Sequence, residues 1–421
     1  MLRAHRFQLR LKPLQEAQLR RFSGMARWVW NQALAEQKAR HERGEKYANA
    51  IEMAHWLTVW RNASETRWLS EGPVHTQQQV LRRLDEAYQR FFARVKAGQT
   101  PGFPRFKRRG QEPGLRFPDP KQFALDAEHS RIKLPKLGWA RLRLSRPVEG
   151  ALKNVSITRE GAHWFCAIQV EVADVAPAGL APTLGIDLGL KAFAGTSDGA
   201  LIAPLKALSK QQIRLRRYQR SVGRKVKGSC NRRKAVAKLA ALHRRIARQR
   251  ADWLHKLTTE LASQHPVIAI EDLRVAAMSA SAKGTVDRPG KNVRQKAGLN
   301  RGILDAAWAE FRRQLEYKLA AVGGQVIAVN PAYTSRTCRL CGHEAAENRV
   351  SQAQFQCVAC GHAEHADIHA AKNILAAGHA VWLLQREAFA CGGVVRRKSA
   401  RKRATGAAPM KQEPSEAIAH G

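Results

Sequence analysis

The stretch from Thr337 to Leu375 reads TCRLCGHEAAENRVSQAQFQCVACGHAEHADIHAAKNIL and leaves few choices for its own fold. Cys338 and Cys341 form one Cys-x-x-Cys pair and Cys357 and Cys360 a second, with fifteen residues between the pairs. Four thiolates presented on two tight turns are the donor set of a structural zinc ribbon, in which Zn²⁺ sits in a closed tetrahedron at about 2.3 Å from each sulfur. Gly342 and Gly361 directly follow the pairs and let the backbone fold back. Disulfides and buried free cysteines are the competing readings. The chain opens MLRAHRFQLRL, which alternates basic and apolar residues and lacks the apolar core of a secretory signal. The remaining three cysteines are scattered singly, so disulfides are disfavoured. A closed four-sulfur site has no open position; it folds the loop and leaves chemistry to other residues. His343, His362 and His365 lie nearby, and any one could replace a cysteine, although four cysteines already suffice.

Asp367 follows the ribbon and opens a helical run, Ile368 to about His379. Two more acids stand in comparable places. Thr183 to Leu188 is an apolar strand carrying Asp187, and the apolar strand Val267 to Ile270 leads at once into Glu271 and Asp272. A carboxylate in an apolar strand is costly unless something charged meets it; the plain alternative is a partly exposed acid at a strand end. In an RNase H-like fold such positions converge on one point of a central sheet. Converged carboxylates raise one another's pKa unless cations sit between them. Two divalent ions at roughly 4 Å separation would satisfy them, one activating a water and the other stabilising the leaving 3′ oxygen of a phosphodiester. All-oxygen ligands favour Mg²⁺ or Mn²⁺. Asp187, Glu271 and Asp367 are the candidate catalytic, metal-binding residues.

Charge says what such a site would act on. Lys and Arg number 73 against 34 Asp and Glu, a formal net charge of +39 with a pI near 11. This far exceeds what solubility needs and implies a polyanion, most simply nucleic acid; a ribosomal-type scaffold or a merely solvated surface would share the excess. The 44% of hydrophobic residues suffices for real cores, and no run approaches a membrane span. The cations concentrate in two places. Residues 205–263 read as a basic helical hairpin broken at Gly223 to Asn231, with Arg214, Arg217, Arg224, Lys225, Arg232 and Arg233 among its candidates for phosphate contact. Thr100 to Gly114 is a loop rich in Pro and Gly carrying Arg105, Lys107 and Arg108, either a linker or a phosphate-seeking segment.

Elsewhere the periodicity predicts a strand at Arg3–Leu11, a helix from Leu14 to about Arg43, and helices at about Ala48–Arg61 and Thr76–Lys96. Trp28 and Trp30 fall at helical spacing among arginines and read as core rather than base-stacking residues. Short alternating runs from Leu115 to Val175 suggest a small β-barrel, which the first strand could join, making the helices an insertion. Ala176 to Pro182 is a linker. Ser279 to Gly298 reads as a polar basic loop, Asn300 to Val322 as one amphipathic helix, and Gln325 to Val329 as a strand. After about Cys391 the chain is basic, Ala-rich and aperiodic, the composition of a disordered tail.

Taken in order, the motifs resemble the TnpB (OrfB) proteins of bacterial insertion sequences, relatives of the type V CRISPR nucleases. The matching residues are GIDLG around Asp187, IEDL around Glu271, NPAYTSRTCRLCGH leading into the first cysteine pair, and CVACGH…ADIHAAKNIL around Asp367. FQLRLKPLQEAQLRRFSGMARWVWNQAL and PGFPRFKRR look like the family's opening, so the resemblance spans about residues 1–385. It implies an RNA-guided DNA endonuclease encoded by a transposable element, with Asp187, Glu271 and Asp367 as a RuvC-type triad, and a guide RNA with double- and single-stranded DNA as partners. The implied architecture is multidomain α+β. A wedge-like β-barrel (1–12 and 97–180) carries a helical recognition domain (13–96). A RuvC-like domain (181–336 and 362–390) follows, with an inserted zinc ribbon (337–361) and the basic tail (391–421). A monomer in the bacterial cytoplasm, associated with the nucleoid, is expected. Three positions depart from the family pattern: His365-Ala366-Asp367 stands where Asp-Arg-Asp is common, and His369 where Asn is common. A non-cleaving RNA-guided binder or a transposition accessory therefore remains the alternative, and a strand-transfer transposase a third class. No His-x-His of the tyrosine-transposase kind occurs.

Overall fold

A computed structural model describes residues 1–176 and 178–390, so the expected tail at 391–421 lies outside the described residues. The chain divides into two compact units, residues 1–176 with 207–251, and residues 177–206 with 252–421.

The first unit begins with β1 (Leu2–Arg10), whose alternation buries Phe7 and Leu9. Three helices follow: α1 (Pro13–Glu42), α2 (Ala50–Asn62) and α3 (Val74–Lys96). Asn49 starts α2 by accepting from the backbone of Ile51 and Glu52 while Glu52 bonds back to the Asn49 amide, a capping box worth about 1 kcal/mol. Trp28 meets Trp60 and Trp68 edge-on at 5.5 and 5.6 Å, and Trp30 is buried, so both tryptophans pack as core side chains. Six more strands come next: β2 (Leu115–Phe117), β3 (Ala124–Asp126), β4 (Arg131–Leu134), β5 (Gly138–Leu142), β6 (Ala151–Glu160) and β7 (His163–Glu171). With β1 they form one antiparallel sheet ordered β2-β6-β7-β1-β5-β4-β3, so the helices are inserted between two of its strands. The expected barrel does not form, because β2 and β3 end the order and do not pair. Closure needs staggered edge strands that hydrogen-bond to each other. Here each edge strand is three residues long, and α3 lies against β2, where Arg83 Nη1 donates to the Gly114 carbonyl at 2.6 Å.

The second unit is built on β8 (Leu184–Leu188), β9 (Ala194–Thr196), β10 (Leu201–Ile202), β11 (Val267–Glu271) and β12 (Gln325–Val329), ordered β10-β9-β8-β11-β12. The pairs β8–β11 and β11–β12 are parallel; β8–β9 and β9–β10 are antiparallel, the latter turning at Ser197-Asp198-Gly199 as the hairpin signal predicts. Between β10 and β11 run α4 (Ala207–Lys210), α5 (Gln212–Gly223) and α6 (Cys230–Gln264), of which residues up to Ala251 group with the first unit. After β11 come α7 (Val275–Met278), α8 (Val293–Ala306) and α9 (Trp308–Ala320). The single amphipathic helix expected at 300–322 is thus two helices, broken at Ala307, whose φ of 57° is left-handed. That conformation costs an L-residue about 1–2 kcal/mol; the break lets both Ile303 and Trp308 bury. Two three-residue strands, β13 (Gln354–Gln356) and β14 (Ala363–His365), pair as a ribbon before α10 (Ala366–Ala390).

Both faces of the central strands are covered, as parallel sheets require. Leu184, Ile186, Ile268 and Ile270 pack with Phe311, Leu315 and Leu319 of α9 and Leu254 and Leu261 of α6. Val267, Ala269, Ile327 and Val329 pack with Ile374 of α10. Among the described residues no helix is long and apolar enough to cross a membrane.

Candidate active site

Strand periodicity decides where the acids point. Leu184 and Ile186 face α9, so Gly185 and Asp187 face the other side. Ile268 and Ile270 do the same on β11, which puts Glu271 on the face of Ala269. The two strands run parallel with Ile186 level with Ile270, so the next residues, Asp187 and Glu271, emerge side by side at the carboxyl ends. That is also the face of α10. Gly185 admits the helix, since a Cβ there would lie 2.2 Å from the Ala371 carbonyl oxygen. Gly195, paired with Asp187 on β9, touches the backbone of Asp367, whose oxygen would be 2.7 Å from an added Cβ. Two glycines therefore bring the start of α10, and Asp367 with it, against the strand ends.

The electrostatics of this meeting are unfavourable without a cation. Burial, then Glu271, then Asp367 push Asp187 from its ordinary 3.8 up to about 7, against Arg349 and the Leu188 amide. Burial and the two neighbouring acids thus outweigh the favourable contacts by about 4 kcal/mol. Glu271 is also raised, by burial, with a hydrogen bond from Thr334 and the charge of Arg349 opposing. Thr334 Oγ1 donates to Glu271 Oε1 at 2.8 Å, and Arg349 Nη2 lies 3.5 Å from Asp367 Oδ1. The three acids are half-buried and carry more negative charge than one guanidinium balances, the donor chemistry of hard divalent cations such as Mg²⁺ or Mn²⁺, but among the described residues their ligand atoms are not grouped within 4.8 Å of one another as those of the four cysteines are. Thr334 and Arg349 contact the candidate acids and were missed by sequence reasoning. Neither carries a local signal. Asn373 of α10 holds the segment leading into the ribbon, donating to the Thr334 and Thr337 carbonyls at 2.8 Å each.

The ribbon has the geometry its spacing predicts. Cys338 and Cys360 sulfurs lie 3.7 Å apart and those of Cys341 and Cys357 3.5 Å, far beyond a disulfide and close to the edge of a zinc–thiolate tetrahedron, about 3.8 Å for 2.3 Å bonds. The two knuckles repeat one another. Cys338 and Cys357 amides donate to the His343 and His362 carbonyls at 2.9 and 2.8 Å, and Gly342 and Gly361 turn back at φ 75° and 74°. Buried Asn348 ties them together, donating to the Arg336 and His343 carbonyls and accepting from the Val358 amide. The four cysteines fit a structural zinc ion. Ala366, one of the departures from the family pattern, packs with Cys338, Phe355 and Cys357 in the ribbon's core.

The candidate phosphate contacts divide. Arg217, Arg224 and Lys225 line a cleft of about 490 Å³ between α5 and α6, joined by Lys234 and Lys238. Arg214 is exposed, its guanidinium bonded to the Tyr218 hydroxyl. Arg232 instead donates to the Val222 and Lys225 carbonyls and closes the end of α5, and Arg233 reaches the Cys230 sulfur at 2.8 Å. On the 100–114 loop Arg105 and Arg108 are exposed, while Lys107 is half-buried over the Trp30 ring. Trp30 and Asn31 pin that loop by bonds to the Arg105 and Lys107 backbones. A second cleft of about 700 Å³, lined by Arg20, Arg27, Arg109 and Arg159, was not foreseen because its arginines are distant in sequence.

Comparison with known proteins places these features. Residues 167–282 match a family described as "Probable transposase", residues 308–374 the "Cas12f1-like, TNB domain", and residues 1–46 a "Helix-turn-helix domain". The last region is here a strand followed by one long helix. The chain is 47% identical over 418 residues to "Putative RNA-guided DNA endonuclease InsQ" of Escherichia coli (strain K12), covering 99% of this chain and 98% of that protein. It is 34% identical over 423 residues to "Putative RNA-guided DNA endonuclease" of Streptomyces pristinaespiralis, covering 98% and 97%. Its fold is similar to that of Cas12f1 in a cryo-EM structure of the Cas12f1–sgRNA–target DNA complex, with a TM-score of 0.51 at 17% identity, over 87% of this chain and 83% of that one.

The chain has a mixed α/β multidomain fold similar to that of Cas12f1, with a four-cysteine cluster near its C-terminus. The chain belongs to the TnpB (OrfB) family of insertion-sequence proteins, related to the type V effectors.

Proposed function

We propose that the protein is an RNA-guided, divalent-metal-dependent DNA endonuclease of a transposable element, cutting with a RuvC-type three-carboxylate site. The observation that carries this reading is the approach of Asp187, Glu271 and Asp367 to one another on the α10 face of the second sheet, with Asp187 pushed up to about 7 by burial and by the two neighbouring acids. The strand order β10-β9-β8-β11-β12, a three-stranded meander extended by two parallel strands, supports an RNase H-like domain. Guidance by RNA and action on DNA rest on the names of the relatives.

In this reading the three acids hold Mg²⁺ or Mn²⁺. When bound, the ions supply a lowered water pKa and offset the charge that grows on the leaving oxygen. Hydrolysis joins water to phosphorus and releases the 3′ oxygen, which takes up a proton. Thr334 holds one oxygen of Glu271, leaving the other to the metal. Arg349, beside Asp367 and about one-third exposed, offers a guanidinium to the scissile phosphate. The cleft of Arg217, Arg224 and Lys225 and the cleft of Arg20 and Arg27 supply contacts for the sugar–phosphate backbones of guide and target. The domains take the roles the resemblance implies: residues 1–12 and 97–180 with the helices of 13–96 for recognition, and residues 181–336 and 362–390 for cutting. One chain carries all three acids, which supports a monomer, working at the nucleoid of a bacterial cytoplasm.

The test is sequencing of the RNA that co-purifies with the protein, then a cleavage assay on matching double-stranded DNA with Mg²⁺. A discrete RNA and cutting that Asp187→Ala abolishes, with RNA binding retained, are expected. A discrete RNA without cutting would sink the nuclease and leave a guided binder. Equal loss of binding and cutting in the variant would make Asp187 structural.

A further inference from the structure

Beside the four cysteines a second set of metal-type donors meets, in His362, Glu364 and His369. Their ligand atoms all lie within 4.8 Å of one another. His362 Nε2 is 3.7 Å and His369 Nδ1 3.5 Å from Glu364 Oε2. These separations are too long for good hydrogen bonds. All three atoms are buried without a hydrogen-bond partner, and three such orphans facing one point require an explanation.

The surroundings constrain two of the three donors. His369 is fully buried, and its Nε2 lies 3.0 Å from the Thr337 carbonyl, which can only accept. A proton therefore sits on Nε2, and in the neutral ring Nδ1 presents a lone pair to Glu364. Phe355 stacks on the ring at 3.7 Å and 14°, so the lone pair cannot turn away. The Lys372 ammonium bonds Glu364 Oε1 and leaves Oε2 bare. A fixed lone pair facing a bare anionic oxygen repels; a cation between them satisfies both. We propose that His362 Nε2, Glu364 Oε2 and His369 Nδ1 bind a second zinc ion, separate from that of the cysteines.

Both separations from Glu364, 3.7 and 3.5 Å, agree. Tetrahedral Zn²⁺ with bonds of about 2.0–2.1 Å sets its donors about 3.4 Å apart. Two imidazoles and one carboxylate suit zinc rather than Mg²⁺ or Ca²⁺. A ligating histidine that gives its other N–H to a backbone carbonyl is the usual outer arrangement of such a site. Its three ligands come from the second knuckle, β14 and α10, and Asp367 lies between Glu364 and His369 in the chain. The ion would fix the ribbon to the first turn of α10, so these are positioning residues for Asp367. The inference stands whether or not the protein cuts DNA.

Zinc content of the full-length chain is the test, measured in an Asp187→Ala background so that the three-carboxylate site contributes none. About two zinc ions per chain are expected, falling to about one in the His362→Gln/His369→Gln double variant. Zinc X-ray absorption of the parent should show a mixed shell of sulfur and nitrogen or oxygen, and of the double variant sulfur alone. One zinc per chain with a sulfur-only shell in the parent overturns the proposal and leaves an imidazolium–carboxylate pair. Should the double variant fail to fold, the parent's absorption spectrum decides alone.

Discussion

Asp187 carries the most testable consequence of a single residue. Its raised pKa means that the folded protein keeps, between about pH 4 and 7, a proton that the unfolded chain has released. The contribution to stability is thus fullest below pH 4 and is lost as pH climbs through 7, by about 4 kcal/mol. In magnesium-free buffer, denaturant melts of Asp187→Asn should fall less steeply over that range than those of the parent; identical slopes would show that the buried carboxyl does not titrate there. Thr334 acts on Glu271 rather than on substrate. Thr334→Val should reduce cleavage by about 10- to 100-fold and raise the Mg²⁺ concentration needed for half-maximal rate, as loss of a ligand's outer hydrogen bond does elsewhere. The three candidate acids stand out in the sequence because Asp187 interrupts an apolar run, Glu271 ends one and Asp367 opens a helical run. Thr334 and Arg349 do not, because each stands in a polar loop with nothing local to distinguish it.

Among the elements, α10 is the one whose placement matters most, because Asp367 opens it. It approaches β8 over Gly185, where even a methyl group would meet the Ala371 carbonyl and the Leu375 backbone. Gly185→Ala should displace the helix, costing about 1–3 kcal/mol in a thermal or urea melt, and lower cleavage beyond what the stability loss explains. A wild-type rate in a destabilised variant would show that the acids tolerate a shift of the helix. Long periodic elements were readable: β1, α1, α3, β11 and β12 fall close to where their periodicity puts them. The short strands β13 and β14 escaped because three residues contain no period. The break at Ala307 escaped because no Gly or Pro marks it, and core packing of Ile303 and Trp308 overrides helical propensity there.

For the molecule as a whole, a net charge of +39 makes salt the governing variable. If about six to ten phosphates are neutralised, affinity for RNA should fall roughly a thousandfold or more between 50 and 200 mM salt. Replacing Arg217, Arg224 and Lys225 by Gln should lower the slope of log K against log salt by about one for each phosphate no longer neutralised, checked by filter binding or fluorescence anisotropy. An unchanged slope would remove the α5–α6 cleft from the binding path. Arg232→Gln, by contrast, should loosen the end of α5, since its guanidinium is spent on the Val222 and Lys225 carbonyls.

Local pattern alone determined the cysteine ribbon, the long helices and strands and the basic hairpin, and it singled out the three acids as candidates. Each depends on spacing within a few turns of chain, where side-chain direction follows from backbone period. Only the tertiary structure decided that the first sheet stays open, that Asp187 and Glu271 stand level on parallel strands, and that Arg349 reaches Asp367. It also decided that His369, a departure from the family pattern in sequence, turns from the acids toward Glu364. Those outcomes depend on strand register and helix approach between residues far apart in the chain, and no local period encodes them.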